Sequence, residues 1–116
     1  MKYITAEDYE LLGFFEKEPT VLDKDTPWVY TDSLYEVTQA NKQLSVAIHP
    51  AYKDIRIILK ESENKVFELE AMGIQDIKVI NNKLPEVLEV TINEQQTVLI
   101  KIKPFISIYQ NYEKKT

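Results

Sequence analysis

The sequence predicts an α+β fold: one N-terminal amphipathic helix packed on a mainly antiparallel meander sheet of six or seven strands. Three observations predict it. Between Thr97 and Tyr109, Val98, Ile100, Ile102, Ile106 and Ile108 share one parity, and Lys101, Lys103 and Ser107 lie between them. That is the period-two pattern of a strand with one apolar face. Similar short runs, separated by turn residues every 8–12 positions or so, reach back to about Leu34. The start of the chain carries a helix-start signature instead. A helix stripe buried against one sheet face would enclose a single core in two layers. The sheet could equally curl toward a partly open barrel, and local patterning does not choose between the two.

The helix is expected at about 6–17. Thr5 is placed as N-cap and Asp8 at the third helical position, a near match to the capping box, with Ile4 and Tyr9 at the two positions of a hydrophobic staple. Ile4, Leu11 and Phe15 fall on one stripe, widened by Leu12. Glu7, Asp8 and Glu10 suit the positive end of the helix dipole. Pro19 stops the helix because the residue before a proline is driven out of the α region, and Gly13 is a mild weakness within it.

Residues 18–33 form an irregular acidic connection, with a short strand anticipated at 28–30. Strands are then expected at 34–40, 44–48, 54–60, 65–71, 74–80, 86–93 and 97–109. In the fourth of these Phe67, Leu69 and Ala71 face one way, Glu68 and Glu70 the other. Gly73 marks a turn or bulge, and Asn81-Asn82-Lys83 is a turn-rich tripeptide. Pro104 cannot donate to a ladder, so the last strand lies at an edge, bulges, or ends there. An open edge is a place where another chain can add a strand. The tail at 110–116 is polar and expected to fray. The whole of 1–116 reads as a single domain.

A chain of 116 residues buries roughly two-thirds of the surface its unfolded form exposes. Lys101 and Lys103 interrupt the longest apolar run, so no membrane span is expected. Acidic residues rather than an apolar stretch follow Met1-Lys2, which argues against a secretory signal. Cysteine is absent, which removes disulfides and thiolate catalysis and fits a cytoplasmic location. The net charge of −5 is uneven: residues 1–40 hold nine acids and three bases, the remainder ten acids and eleven bases. Arg56 is the only arginine among fourteen basic residues, a leaning toward Lys that suits a microbial, AT-rich genome. With a single Arg and no positive field, nucleic-acid binding is disfavoured.

No residue constellation in the chain carries a catalytic signature. His49, the only histidine, precedes Pro50 in a turn, and no nucleophile-elbow pattern surrounds Ser33, Ser45, Ser62 or Ser107. One His and no Cys remove ordinary zinc sites. Asp23-Lys24-Asp25 begins like a calcium loop, but Trp28 and Leu34 stand where the glycine and the bidentate glutamate belong. An oxygen-ligand site from Asp23, Asp25 and Asp32 is weaker than the ordinary reading of acids in a solvated loop. Glu68 and Glu70, about 7 Å apart on one strand face, match an inverting glycosidase pair in spacing, yet the same spacing is everyday alternation. Gly13 and Gly73 are isolated, which excludes a glycine-rich phosphate loop. No catalytic residue, metal or cofactor is expected.

What remains is an aromatic cluster on the acidic segment: Trp28, Tyr30 and Tyr35 beside Asp23, Asp25 and Asp32. Trp and Tyr are the residues of binding hot spots, and an acidic rim around them suits a basic protein partner. The plainer reading is that Trp28 anchors the helix on the sheet and the acids are solvated surface. The sequence therefore favours a small, non-enzymatic protein-binding module, an acidic inhibitor or immunity-type protein covering a basic site. Two alternatives stand beside it. One is a homo-oligomer pairing through the C-terminal edge strand. The other is a small-ligand carrier or weak hydrolase with His49 or Tyr52 at the mouth of a cavity between helix and sheet.

Overall fold

The computed structural model describes residues 3–112. It contains one helix, α1 (Asp8–Phe15), and nine strands among the described residues: β1 (Thr20–Val21), β2 (Ser33–Gln39), β3 (Lys42–His49), β4 (Asp54–Glu61), β5 (Asn64–Ala71), β6 (Asp76–Ile80), β7 (Val87–Thr91), β8 (Gln96–Lys101) and β9 (Ser107–Tyr112). The α+β class and the antiparallel pairing agree with the sequence reading. The single sheet of six or seven strands does not. β1 to β5 form one antiparallel sheet in chain order and β6 to β9 a second, and neither closes into a barrel. The break falls between β5 and β6, where Gly73 takes the left-handed φ of +65° that a side chain disfavours.

Register explains why these residues make strands. In the first sheet three cross-strand rows face the core: Val37, Leu44, Leu59 and Phe67; then Tyr35, Val46, Ile57 and Leu69; then Ser33, Ile48, Ile55 and Ala71. In the second, Val79, Leu88, Ile100 and Ile108 form one row, and Ile77, Val90 and Val98 another. A one-residue slip in any strand would turn its whole apolar set to water, so the alternation sets the pairing. Apart from Ala47, the buried apolar members of both sheets and of α1 belong to one hydrophobic core.

The helix is shorter than expected and starts later. Glu7 is the N-cap, with its N–H bonded to the Glu10 carboxylate at 3.0 Å. Thr5 does not cap; its N–H and hydroxyl both donate to Asp76, at 2.7 and 2.6 Å, and the Ala6 N–H donates to the Ile77 carbonyl at 2.8 Å. The segment before α1 thus lies along β6, and Ile4 and Ala6 are buried there. The expected staple fails because Tyr9 is exposed. Leu11 and Phe15 are buried as expected, but Phe14 joins them in place of Leu12, which is exposed. The helix ends at Glu16, whose left-handed φ of 56° turns the chain away three residues before Pro19. The Lys103 ammonium pairs with the Glu16 carboxylate at that end.

Two further corrections concern strands. Residues 28–30 form a single 3-10 turn, Trp28–Tyr30, rather than a strand. The expected last strand is two, β8 and β9, because the ladder stops before Pro104, which has no N–H to offer. Gln39 spans the gap: its side-chain amide donates to the Ile102 carbonyl at 3.0 Å and accepts the Ile106 N–H at 2.8 Å. Of the tail expected to fray, residues 110–112 are paired in β9, and 113–116 lie outside the described residues.

Candidate functional site

The acidic connection is organised by its own side chains. Asp23 accepts the Asp25 N–H at 2.9 Å and the Thr26 hydroxyl at 2.7 Å, closing an Asx turn. The Thr26 hydroxyl and the Asp25 N–H hold the Asp23 carboxyl below the usual carboxylate range. Pro27 then starts the 3-10 turn, where the Tyr30 N–H bonds to the Pro27 carbonyl at 2.9 Å. That turn packs on a second one, Pro50–Tyr52, between β3 and β4. Tyr30 is exposed and meets Tyr3 edge-on, ring centroids 6.1 Å apart.

The sequence-predicted cluster is divided between two concavities. Asp23, Trp28 and Tyr35 border a cleft of about 500 Å³ between α1, the Glu18–Val21 segment and the Trp28 turn. Tyr35 forms part of its floor, stacked on Phe15 at 4.5 Å and almost wholly buried. Burial pushes the Tyr35 hydroxyl up to about 12; the Trp28 indole N–H holds the shift back and the Asp8 charge adds to it. The same indole N–H is buried, and no acceptor meets hydrogen-bond geometry with it. Ser33, which also borders the cleft, is fully buried, its hydroxyl without a partner. Asp25 is exposed and does not border the cleft.

Asp32 faces a second concavity of about 330 Å³, where it pairs with Arg56 at 2.7 Å. His49 and Asp54, directly opposite in the β3–β4 register, line the same hollow. The His49 Nδ1 and one Asp54 carboxylate oxygen are buried there without partners, and His49 stacks on exposed Tyr52 at 4.3 Å. His49 and Tyr52 do not border the helix–sheet cleft, so the cavity imagined with either of them at its mouth is not the one this fold makes. Glu68 is engaged by Lys65 at 2.9 Å, while Glu70 borders the second hollow. Among the described residues no group of three or more His, Cys, Asp or Glu is placed to hold a metal ion. No helix among them is long and apolar enough to cross a membrane.

Sequence reasoning missed Ser33, Asp8 and Glu18 as members of the cleft. Ser33 reads as an ordinary polar residue at a strand end; only the tertiary packing around it makes its hydroxyl a buried group. No local pattern carries that information.

No protein-family model and no curated protein matches the chain. Among solved structures, it resembles a chain of a contact-dependent growth inhibition toxin–immunity protein complex from Klebsiella pneumoniae 342. The likeness has a TM-score of 0.78 and 21% identity, and it covers 96% of this chain and 98% of the other. The two chains share a fold. The agreement spans both sheets and the helix rather than one motif, so the whole two-sheet arrangement recurs in a protein of a toxin–immunity pair.

Proposed function

We propose that this protein is an immunity-type module that binds a protein toxin and blocks it, without catalysing a reaction itself. The observation that carries the reading is the end-to-end fold likeness to a chain of a toxin–immunity complex. The acidic first third of the chain is the second support, because an inhibitor that covers a basic functional surface gains both association rate and specificity from opposite charge. The surface we assign to the contact is the acidic connection and the rim it forms: Asp23, Asp25, Trp28 and Tyr30, with Tyr35 beneath as their support and Asp32 at the neighbouring hollow. The cytoplasm is the expected place of action.

The test is capture from host lysate followed by a protection assay. A protein recovered with the tagged chain should arrest growth when expressed alone in a bacterial host and be harmless when co-expressed with this chain. A Trp28→Ala/Asp25→Asn variant, folded by circular dichroism, should lose at least about tenfold in affinity, as expected for removing a hot-spot aromatic and a facing charge. If the captured protein is harmless by itself, the immunity reading is wrong. Recovery of the chain's own copies alone would instead favour pairing through β9, an edge strand that leaves Tyr109 and Tyr112 exposed.

A further inference from the structure

We infer that the cleft between α1 and the start of β2 is a socket for one arginine side chain of the partner protein, a reading that rests on the proposed immunity-type function. The socket has an unusual floor. Buried hydroxyls in folded proteins nearly always have partners, yet the Ser33 hydroxyl, which borders the cleft, has none, and the Trp28 indole N–H on the same cleft acts on the Tyr35 hydroxyl without full hydrogen-bond geometry. Ser33 is 0% exposed and borders the cleft. Leaving such a group unpaired is costly, and an occupant that hydrogen-bonds to it removes the cost.

Charge selects the occupant. Asp8, Glu18 and Asp23 border the cleft and only Lys24 opposes them, so a carboxylate or phosphate is repelled and a cation drawn in. The walls are apolar where Leu12, Pro19 and the Trp28 ring meet. Arginine matches both halves: an aliphatic stem that packs on apolar surface, then a planar head with five N–H donors that also stacks on aromatic faces. The guanidinium donates to the Ser33 hydroxyl and the rim carboxylates. A lone cation or a water could satisfy Ser33 but would leave the apolar wall uncovered.

The experiment is a titration of the uniformly 15N-labelled protein with N-acetyl-arginine amide, followed by the Trp28 indole and Ser33 amide signals. N-acetyl-citrulline amide, of the same shape without the charge, is the control. The expected result is saturable movement of both signals with the arginine probe. Binding should be about fivefold weaker with citrulline and with a Glu18→Gln variant, whose exposed side chain can change without disturbing the fold. Equal response to both probes, or movement only elsewhere, overturns the assignment. If a captured toxin is neutralised while the arginine probe leaves Trp28 and Ser33 unmoved, this inference falls and the immunity reading stands. If the probe binds and no toxin is captured, the function falls and the socket stands.

Discussion

The two sheets differ in construction. In the first, β2 to β5 are seven or eight residues long, and β2–β3 and β4–β5 are joined by two-residue turns. In the second, β6 to β9 are five or six residues long and every connection between them is at least four residues long. They differ in polarity as well. All four buried side-chain atoms without partners among the described residues, on Trp28, Ser33, His49 and Asp54, belong to the first sheet or to the turns attached to it. The two concavities described above border that sheet too, while a third, of about 430 Å³, lies among Leu84, Pro85, Glu86, Ile102 and Lys103 of the second sheet's loops. Strain of this kind, gathered in one half of a molecule, is what a surface waiting for a partner should carry, while the other half completes the core.

That division would break if the halves were separately stable. Ile57 of β4 and Ile100 of β8 are each fully buried, and both belong to the shared core. Ile57→Ala and Ile100→Ala should each cost about 2–5 kcal/mol, the transfer of three buried carbons plus the cavity left behind. If the core is truly shared, each variant unfolds in urea as one transition whether followed by Trp28 fluorescence or by far-ultraviolet circular dichroism. Two separated transitions in the Ile100 variant, with Trp28 unaffected in the first, would show the sheets to be independent units and dissolve the division of roles.

The first sheet should also be the more sensitive to alkali. The Tyr35 hydroxyl keeps its proton to about 12 in the folded protein, and an unfolded tyrosine releases it near 10. The folded state therefore holds more protons between these values. Stability is fully present below pH 10 and falls as pH rises toward 12, by at most about 3 kcal/mol. Tyr35→Phe should flatten that part of the profile relative to the wild type, with the two curves compared by urea midpoint at pH 8 and pH 11. Parallel curves would mean that the hydroxyl is less enclosed than its stacking on Phe15 implies.

These contrasts mark how far the sequence was legible. Alternation placed β2 to β5 within one or two residues, because each strand exposes one face and its apolar parity is a local property. The inward set at Val98, Ile100, Ile102 and Ile106 was equally plain, and all four are buried. Splitting into two sheets was not legible. A meander and two sheets joined by a bend have the same local pattern, and only the missing β5–β6 hydrogen bonds separate them. The helix start was misplaced because Thr5 has the right chemistry for a cap but a better partner 71 positions away in Asp76. The candidate site suffered in the same way. Asp23 and Trp28 were visible as types, while their division from Asp32 depends on where the Arg56 side chain reaches.

The seam between the halves supplies the smallest of the expected effects. Gln39 belongs to the first sheet, yet its amide satisfies the Ile102 carbonyl and the Ile106 N–H of the loop that separates β8 from β9, and Lys42 adds a bond to the Ile106 carbonyl at 3.3 Å. That loop includes Pro104 and so has fewer main-chain donors of its own, which leaves it dependent on a side chain from the opposite sheet. Gln39→Ala should cost about 2 kcal/mol, since two partly buried main-chain groups lose their partners together. Gln39→Glu keeps the acceptor for the Ile106 N–H but sets a carboxylate against the Ile102 carbonyl, and should recover little of the loss. Both are read from urea midpoints, with amide exchange at Ile106 as the local probe. Unchanged protection at Ile106 in the alanine variant would mean that water replaces Gln39 without cost, and that the second sheet holds its shape without help from the first.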